Sequence, residues 1–166
     1  MPDDPTDEST DPSDLLAVAD ELYGLPLAEF TPARDAHAKR LKGDDAGLAA
    51  QVKALRKPAL AAWVVDLLAR RDVEQVQQVL DVGAALREAQ ASMSATELRE
   101  LTRQRRQLTA AVTQRARALA SDAGVRVTPA VADQVEATLT AAMVDERCAQ
   151  AVRSGLLVTP LAATGV

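Results

Sequence analysis

The chain contains no isoleucine, three aromatic residues (Tyr23, Phe30 and Trp63), one histidine and one cysteine. Each scarcity closes a route. Strands draw on β-branched and aromatic side chains, and here Ala, Leu and Val supply nearly all the apolar content. Ala and Leu are among the strongest helix formers, so helix is the regular structure this composition favours. Cys148, being alone, can form neither an internal disulfide nor a cysteine-based zinc site. His37 lies between Ala36 and Ala38, and nothing in the sequence places it against Cys148 as a nucleophilic pair would require. There is no glycine-rich phosphate loop and no Glu-x-x-His pairing of carboxylate-bridged metal bundles. These gaps lead to the expectation of no enzyme, no cofactor and no small-molecule substrate.

The apolar run Pro58 to Val65 falls far short of the ~20 residues needed to span a membrane. The first residues lack the basic stretch and apolar core of a secretory signal. The expectation is a cytoplasmic protein with no membrane partner. At 166 residues the chain can bury the core of one ordinary domain without disulfides or metal.

Positive charge is missing from one region. Residues 1–30 hold nine acidic side chains and no Lys or Arg. The remaining residues, 31–166, hold 15 acidic and 19 basic, so an acidic tail precedes a mildly basic body. Residues 1–11 carry two prolines and almost nothing to bury, which predicts disorder.

From residue 12 onward the punctuation predicts seven or eight helices. Asp11-Pro12 starts the first, which Gly24 and Pro26 end near Tyr23. Thr31-Pro32 starts a second, to Leu41 or Lys42. Asp44 or Asp45 caps a third, to about Leu55. Pro58 forces a new start, and Pro58 to Arg71 carries Leu60, Trp63, Val64, Leu67 and Leu68 on a face broad enough to be the centre of the core. Asp72 with Gln75 and Ser94 with Glu97 have capping-box spacing. They open a fifth helix to about Gln90, with Val73, Val76, Leu80 and Leu86 inward, and a sixth from Ala95 to about Ser121. A connection of about five residues predicts an antiparallel helical hairpin over 72–121. Thr128-Pro129 starts a seventh helix, to about Met143, and an eighth runs from Asp145 to Ser154. The reading is an all-α, single-domain helical bundle over 12–155, followed by an apolar C-terminal tail, 156–166. An exposed Leu156-Leu157-Val158 would be an association site, so this tail is a candidate to dock on the body.

Three segments, LYGLPLAEFTPARDAHAKRLK, VKALRKPALAAWVVDLLARR and AVRSGLLVTPL, resemble a family of uncharacterised helical proteins from high-GC bacteria. The likeness covers most of residues 20–71 and about the last 20, and the excess of 15 Arg over 4 Lys fits such a genome. The resemblance implies a helical fold and that origin, and no activity.

Two surfaces could carry function. At about 100° per residue, Arg99, Arg103, Arg106 and Arg117 fall within about 60° of one another on the sixth helix. They lie nearly opposite its Leu101, Leu108, Val112 and Leu119 stripe. If that stripe faces the core, the four guanidinium groups form a ribbon in solvent, with geometry suited to phosphate oxygens. Lys53, Arg56 and Lys57 form a second basic cluster beside Lys39, Arg40 and Lys42. Its order loosely matches a helix-turn-helix, but the turn lacks glycine and the following helix offers Ala59, Ala61 and Ala62 where bases would be read. A solvated face in an Arg-rich chain explains the ribbon more simply, and a helix end, where cations suit exposed carbonyls, explains Lys53, Arg56 and Lys57. On the fifth helix, Glu74, Asp81 and Glu88, seven apart, make an acidic line.

The leading expectation is a non-enzymatic nucleoid- or RNA-associated protein that contacts DNA or RNA phosphates through the Arg ribbon, assisted by Lys53, Arg56 and Lys57, and restrained by its acidic tail. The alternative is a protein–protein adaptor or homo-oligomer that pairs the acidic edge of one hairpin with the basic edge of another. Cys148 and Trp63 read more simply as packed residues than as reactive or ligand-binding groups.

Overall fold

Capping chemistry decides where the helices start. A computed structural model describes residues 11–163, and the tail expected over 1–11 lies outside these residues except for Asp11. The Asp11 carboxylate accepts from Ser13 N at 3.0 Å, ahead of Pro12. Asp45 accepts from Leu48 N at 3.0 Å, Ser94 from Glu97 N at 3.3 Å and Thr128 from Val131 N at 3.3 Å. Each bond satisfies a donor that the first helical turn leaves open. Asp72 ends one helix and caps the next, accepting from Gln75 N at 3.3 Å.

The described residues form eight α-helices and no strand. The chain divides into two compact units, Met1–Arg56 and Lys57–Val166, where the sequence reading drew one domain. The division falls beside Pro58, whose missing N–H also breaks the helical ladder there.

The first unit contains α1 (Pro12–Tyr23), a 3-10 turn (Leu27–Glu29), α2 (Phe30–Leu41) and α3 (Ala46–Lys53). Leu22, Tyr23, Phe30, Leu48 and Val52 are buried, with the Tyr23 and Phe30 rings 5.1 Å apart. The end of the unit is tied down through its backbone: Tyr23 OH donates to the Arg56 carbonyl at 2.7 Å and Arg34 Nη1 to the Leu55 carbonyl at 2.9 Å.

The second unit contains α4 (Leu60–Arg71), α5 (Val73–Ala89), α6 (Ala95–Asp122), α7 (Pro129–Val144) and α8 (Glu146–Ser154). Every residue from Ala61 to Leu68 is buried, as expected of the central helix, and α4 packs on α6, α7 and α8. α5 and α6 form the expected antiparallel hairpin. Asp72 and Arg115 meet at one end, and Leu86 and Gln90 lie near Leu98 and Leu101 at the other. Each hairpin helix nevertheless packs more extensively elsewhere, α5 on α7 and α6 on α4. Gly83 permits the α5–α7 approach, because a Cβ there would stand 2.6 Å from Met143 Cα.

Two inward faces differ from expectation. Val73 is 63% exposed, since the first residue of α5 precedes the turn that reaches the core. On α6 the buried residues are Thr109, Val112, Thr113, Ala116 and Ala120, while Leu101, Leu108 and Leu119 are only half-buried. Small side chains let α6 approach α4 closely, which turns the helix toward the alanines and threonines rather than toward the leucines.

The C-terminal segment docks. Gly155 takes a left-handed φ of 67° after α8, a conformation that suits glycine. Leu157 is buried, and its N–H donates to Asp66 Oδ1 at 2.8 Å. Ala59 N donates to the Val158 carbonyl at 2.8 Å, and Leu161 N to Thr138 Oγ1 at 3.0 Å.

Candidate binding surface

The turn of α6 just described decides what its arginines do. Measured about the helix axis at about 100° per residue, the four arginines lie about 90° from the centre of the buried face, on its flank. Arg99, Arg103 and Arg106 are exposed. Arg103 pairs with Glu100 one turn earlier. Arg117 is not part of an open ribbon: it is half-buried, and its Nη2 donates to the carbonyl of buried Val127 at 3.0 Å, holding the connection into α7. The flank position explains this departure, because a long side chain there reaches backbone that one directly opposite the core would miss.

Arg115 marks the other flank. Its Nε donates to Asp72 Oδ2 at 3.0 Å, so that flank faces α5. The Arg99, Arg103 and Arg106 side is therefore the edge of the hairpin remote from α5. Glu74, Asp81 and Glu88 are all exposed, with Asp81 accepting from Gln77 at 2.8 Å. They lie on the side of α5 opposite the positions that meet α6. The two lines of charge occupy opposite outer edges, about two helix diameters or roughly 20 Å apart. That exceeds the ~8–10 Å screening length at ordinary ionic strength.

The second basic cluster is divided. Lys53, in the first unit, is exposed, and its Nζ donates to Asp35 at 2.7 Å. Asp35 also accepts from Arg34 at 3.0 Å, and these bonds, Lys53 first, hold its carboxyl below the usual value. Lys53 is thus partly neutralised, in a groove beside Lys39 and Lys42. Arg56 and Lys57 are exposed on either side of the boundary between the units.

His37 Nε2 lies 3.4 Å from Glu21 Oε2. Cys148 is half-buried on α8, and burial followed by Asp145 pushes its thiol up from its ordinary value. A raised thiol is a poor nucleophile. Trp63 is buried within α4. Among the described residues no cluster of His, Cys, Asp and Glu could hold a metal ion, and no helix is long and apolar enough to cross a membrane.

The sequence reading missed Asp66. It is fully buried on α4, with Oδ1 bonded to Leu157 N and Oδ2 without a hydrogen-bond partner. Burial pushes its pKa up to about 7, against the Leu157 hydrogen bond and the charge of Arg70. Arg70 itself donates from Nη2 to the Gly155 carbonyl at 3.1 Å. An acid inside the run AAWVVDLLA was the available signal, since a buried carboxylate needs a partner and the apolar tail was the segment lacking one. The pair fastens the C-terminal segment.

Compared with protein-family models, with curated proteins and with solved structures, the chain matches none.

Proposed function

We propose that this is a non-enzymatic helical protein that contacts nucleic-acid phosphates through one flank of α6. The supporting observation is the placement of Arg99, Arg103 and Arg106 in solvent on the hairpin edge remote from Glu74, Asp81 and Glu88. A phosphate backbone lying along that edge meets Arg99 and Arg106, and Arg103 in exchange for its exposed pairing with Glu100. The acidic line is beyond the screening length and repels it little. Of the other basic residues singled out in the sequence, Arg56 and Lys57 are exposed and Lys53 is engaged by Asp35. Three contacts give weak, sequence-independent binding, with a log–log salt slope near about −3 on duplex DNA. A gel-shift titration across a salt series tests this. A slope near zero, or binding unchanged when the three arginines become Gln, would sink the reading.

A second reading has its own support. Opposite outer edges of opposite charge allow two hairpins to lie side by side, acidic edge to basic edge, as a homo-oligomer or with a protein partner. Light scattering across the same salt series separates the two. Assembly that loosens as salt rises supports this version, and a monomer at every salt removes it.

A further inference from the structure

Beyond the crossing at Gly83 and Met143, α5 and α6 continue toward their connection while α7 stops at Val144. The three helices leave a pocket of about 120 Å³ between them. Leu86 of α5, Leu98 and Leu101 of α6 and Met143 of α7 form most of its apolar wall, with Arg87, Gln90, Thr102 and Arg105 as polar groups. Arg87 is already engaged, donating to the Met143 carbonyl at 2.7 Å and to Glu146 at 3.1 Å. Arg105 differs from Arg99, Arg103 and Arg106. It lies on the core-facing side of α6, about 40° from the centre of the buried face. It is half-buried, and its guanidinium has no hydrogen-bond or ion-pair partner among the described residues.

We propose that this pocket binds a short monocarboxylate with an apolar body. A guanidinium stays charged in such surroundings and presents a planar fork that matches one carboxylate. Four apolar side chains around it favour a hydrocarbon tail over a hydrated dianion. The volume sets the length: a cavity of about 150 Å³ holds benzene, so this one of about 120 Å³ encloses about five heavy atoms, and its open side leaves room for the rest of a six-carbon acid. The pocket shares no residue with the arginine flank proposed to meet phosphates, so each stands without the other.

Hexanoate is a suitable probe, with hexan-1-ol and inorganic phosphate as comparators, titrated into the full-length chain and followed by amide ¹H–¹⁵N spectra. Hexanoate should shift amides near residues 86–105 and 143–144, and bind about tenfold or more tightly than hexan-1-ol. Arg105→Gln should abolish that preference by weakening hexanoate about tenfold, leaving hexan-1-ol unchanged. Leu101→Trp, which fills the pocket, should weaken both. Equal binding of acid and alcohol, phosphate binding as tightly as hexanoate, shifts centred elsewhere, or no saturable shift would each overturn the proposal.

Discussion

The two halves of α6 are one unbroken helix under opposite constraints. From Thr109 to Ala120 five residues are buried, whereas from Ala95 to Leu108 none is fully buried. The arginines follow the same division. In the C-terminal half, Arg115 reaches Asp72 and Arg117 reaches the Val127 carbonyl. In the N-terminal half, Arg99 and Arg106 stand in solvent and Arg103 pairs only within its own helix. Equal angular position on a helix therefore does not give equal role. What decides is whether backbone or a carboxylate from another element lies within reach of the side chain.

The largest expected effect concerns Asp66, the carboxylate in the most buried helix. Its unfolded pKa is near 3.8 and its folded pKa about 7. Between those values the folded state holds a proton that the unfolded state has lost, so stability falls as pH rises from about 4 to 7 and is flat above. Three pK units correspond to on the order of 4 kcal/mol. Chemical denaturation at about pH 4.5 and pH 8 should show that fall in the natural chain and little of it in Asp66→Asn, whose side chain can still accept from Leu157 N. Asp35 shifts the other way, its pKa lowered by Lys53 and Arg34, and being exposed it offsets little of this. A natural chain whose stability changes with pH just as that of Asp66→Asn does would show that Asp66 is ionised in the fold.

A smaller effect contrasts the halves of α6 directly. Val112→Ala removes a fully buried side chain and should cost about 2 kcal/mol. Leu101→Ala removes more atoms from a half-buried site and should cost about 1 kcal/mol or less. Urea midpoints at constant m decide the order. If Leu101→Ala proves the more damaging, the N-terminal half carries more of the stability than its exposure indicates.

How far the sequence went follows from the kind of signal each feature leaves. The cap residues Asp11, Asp45, Asp72, Ser94 and Thr128 act on backbone a few positions away, so their effect is local and legible. The breadth of the apolar face on α4 was equally legible, because eight consecutive buried residues need neighbours all round. Two placements depended on distant partners and were not. The rotation of α6 is set by how closely Ala116 and Ala120 let another helix approach, and a wheel drawn on leucines points elsewhere. The fastening of Leu157 to Asp66 joins residues 91 positions apart. The charged lines on α5 and α6 were read correctly as exposed, with Arg117 the exception.

The smallest expected effects are the most informative about function. Arg106→Gln replaces an exposed side chain that makes no ion pair to the described residues, and Arg and Gln have similar helix propensities. Its stability should stay within about 0.5 kcal/mol of the natural chain. Arg117→Gln leaves the Val127 carbonyl without its donor and should cost about 1 kcal/mol. Salt-dependent binding should respond in the reverse order: Arg106→Gln lowers the log–log slope by about one, while Arg117→Gln leaves it nearly unchanged. Denaturation and gel-shift titration on the same two variants give four numbers, and only one pattern fits the proposed surface. If Arg117→Gln weakens binding as much as Arg106→Gln at equal stability, the guanidinium of Arg117 leaves Val127 to meet the ligand. The ribbon would then extend into the C-terminal half of α6.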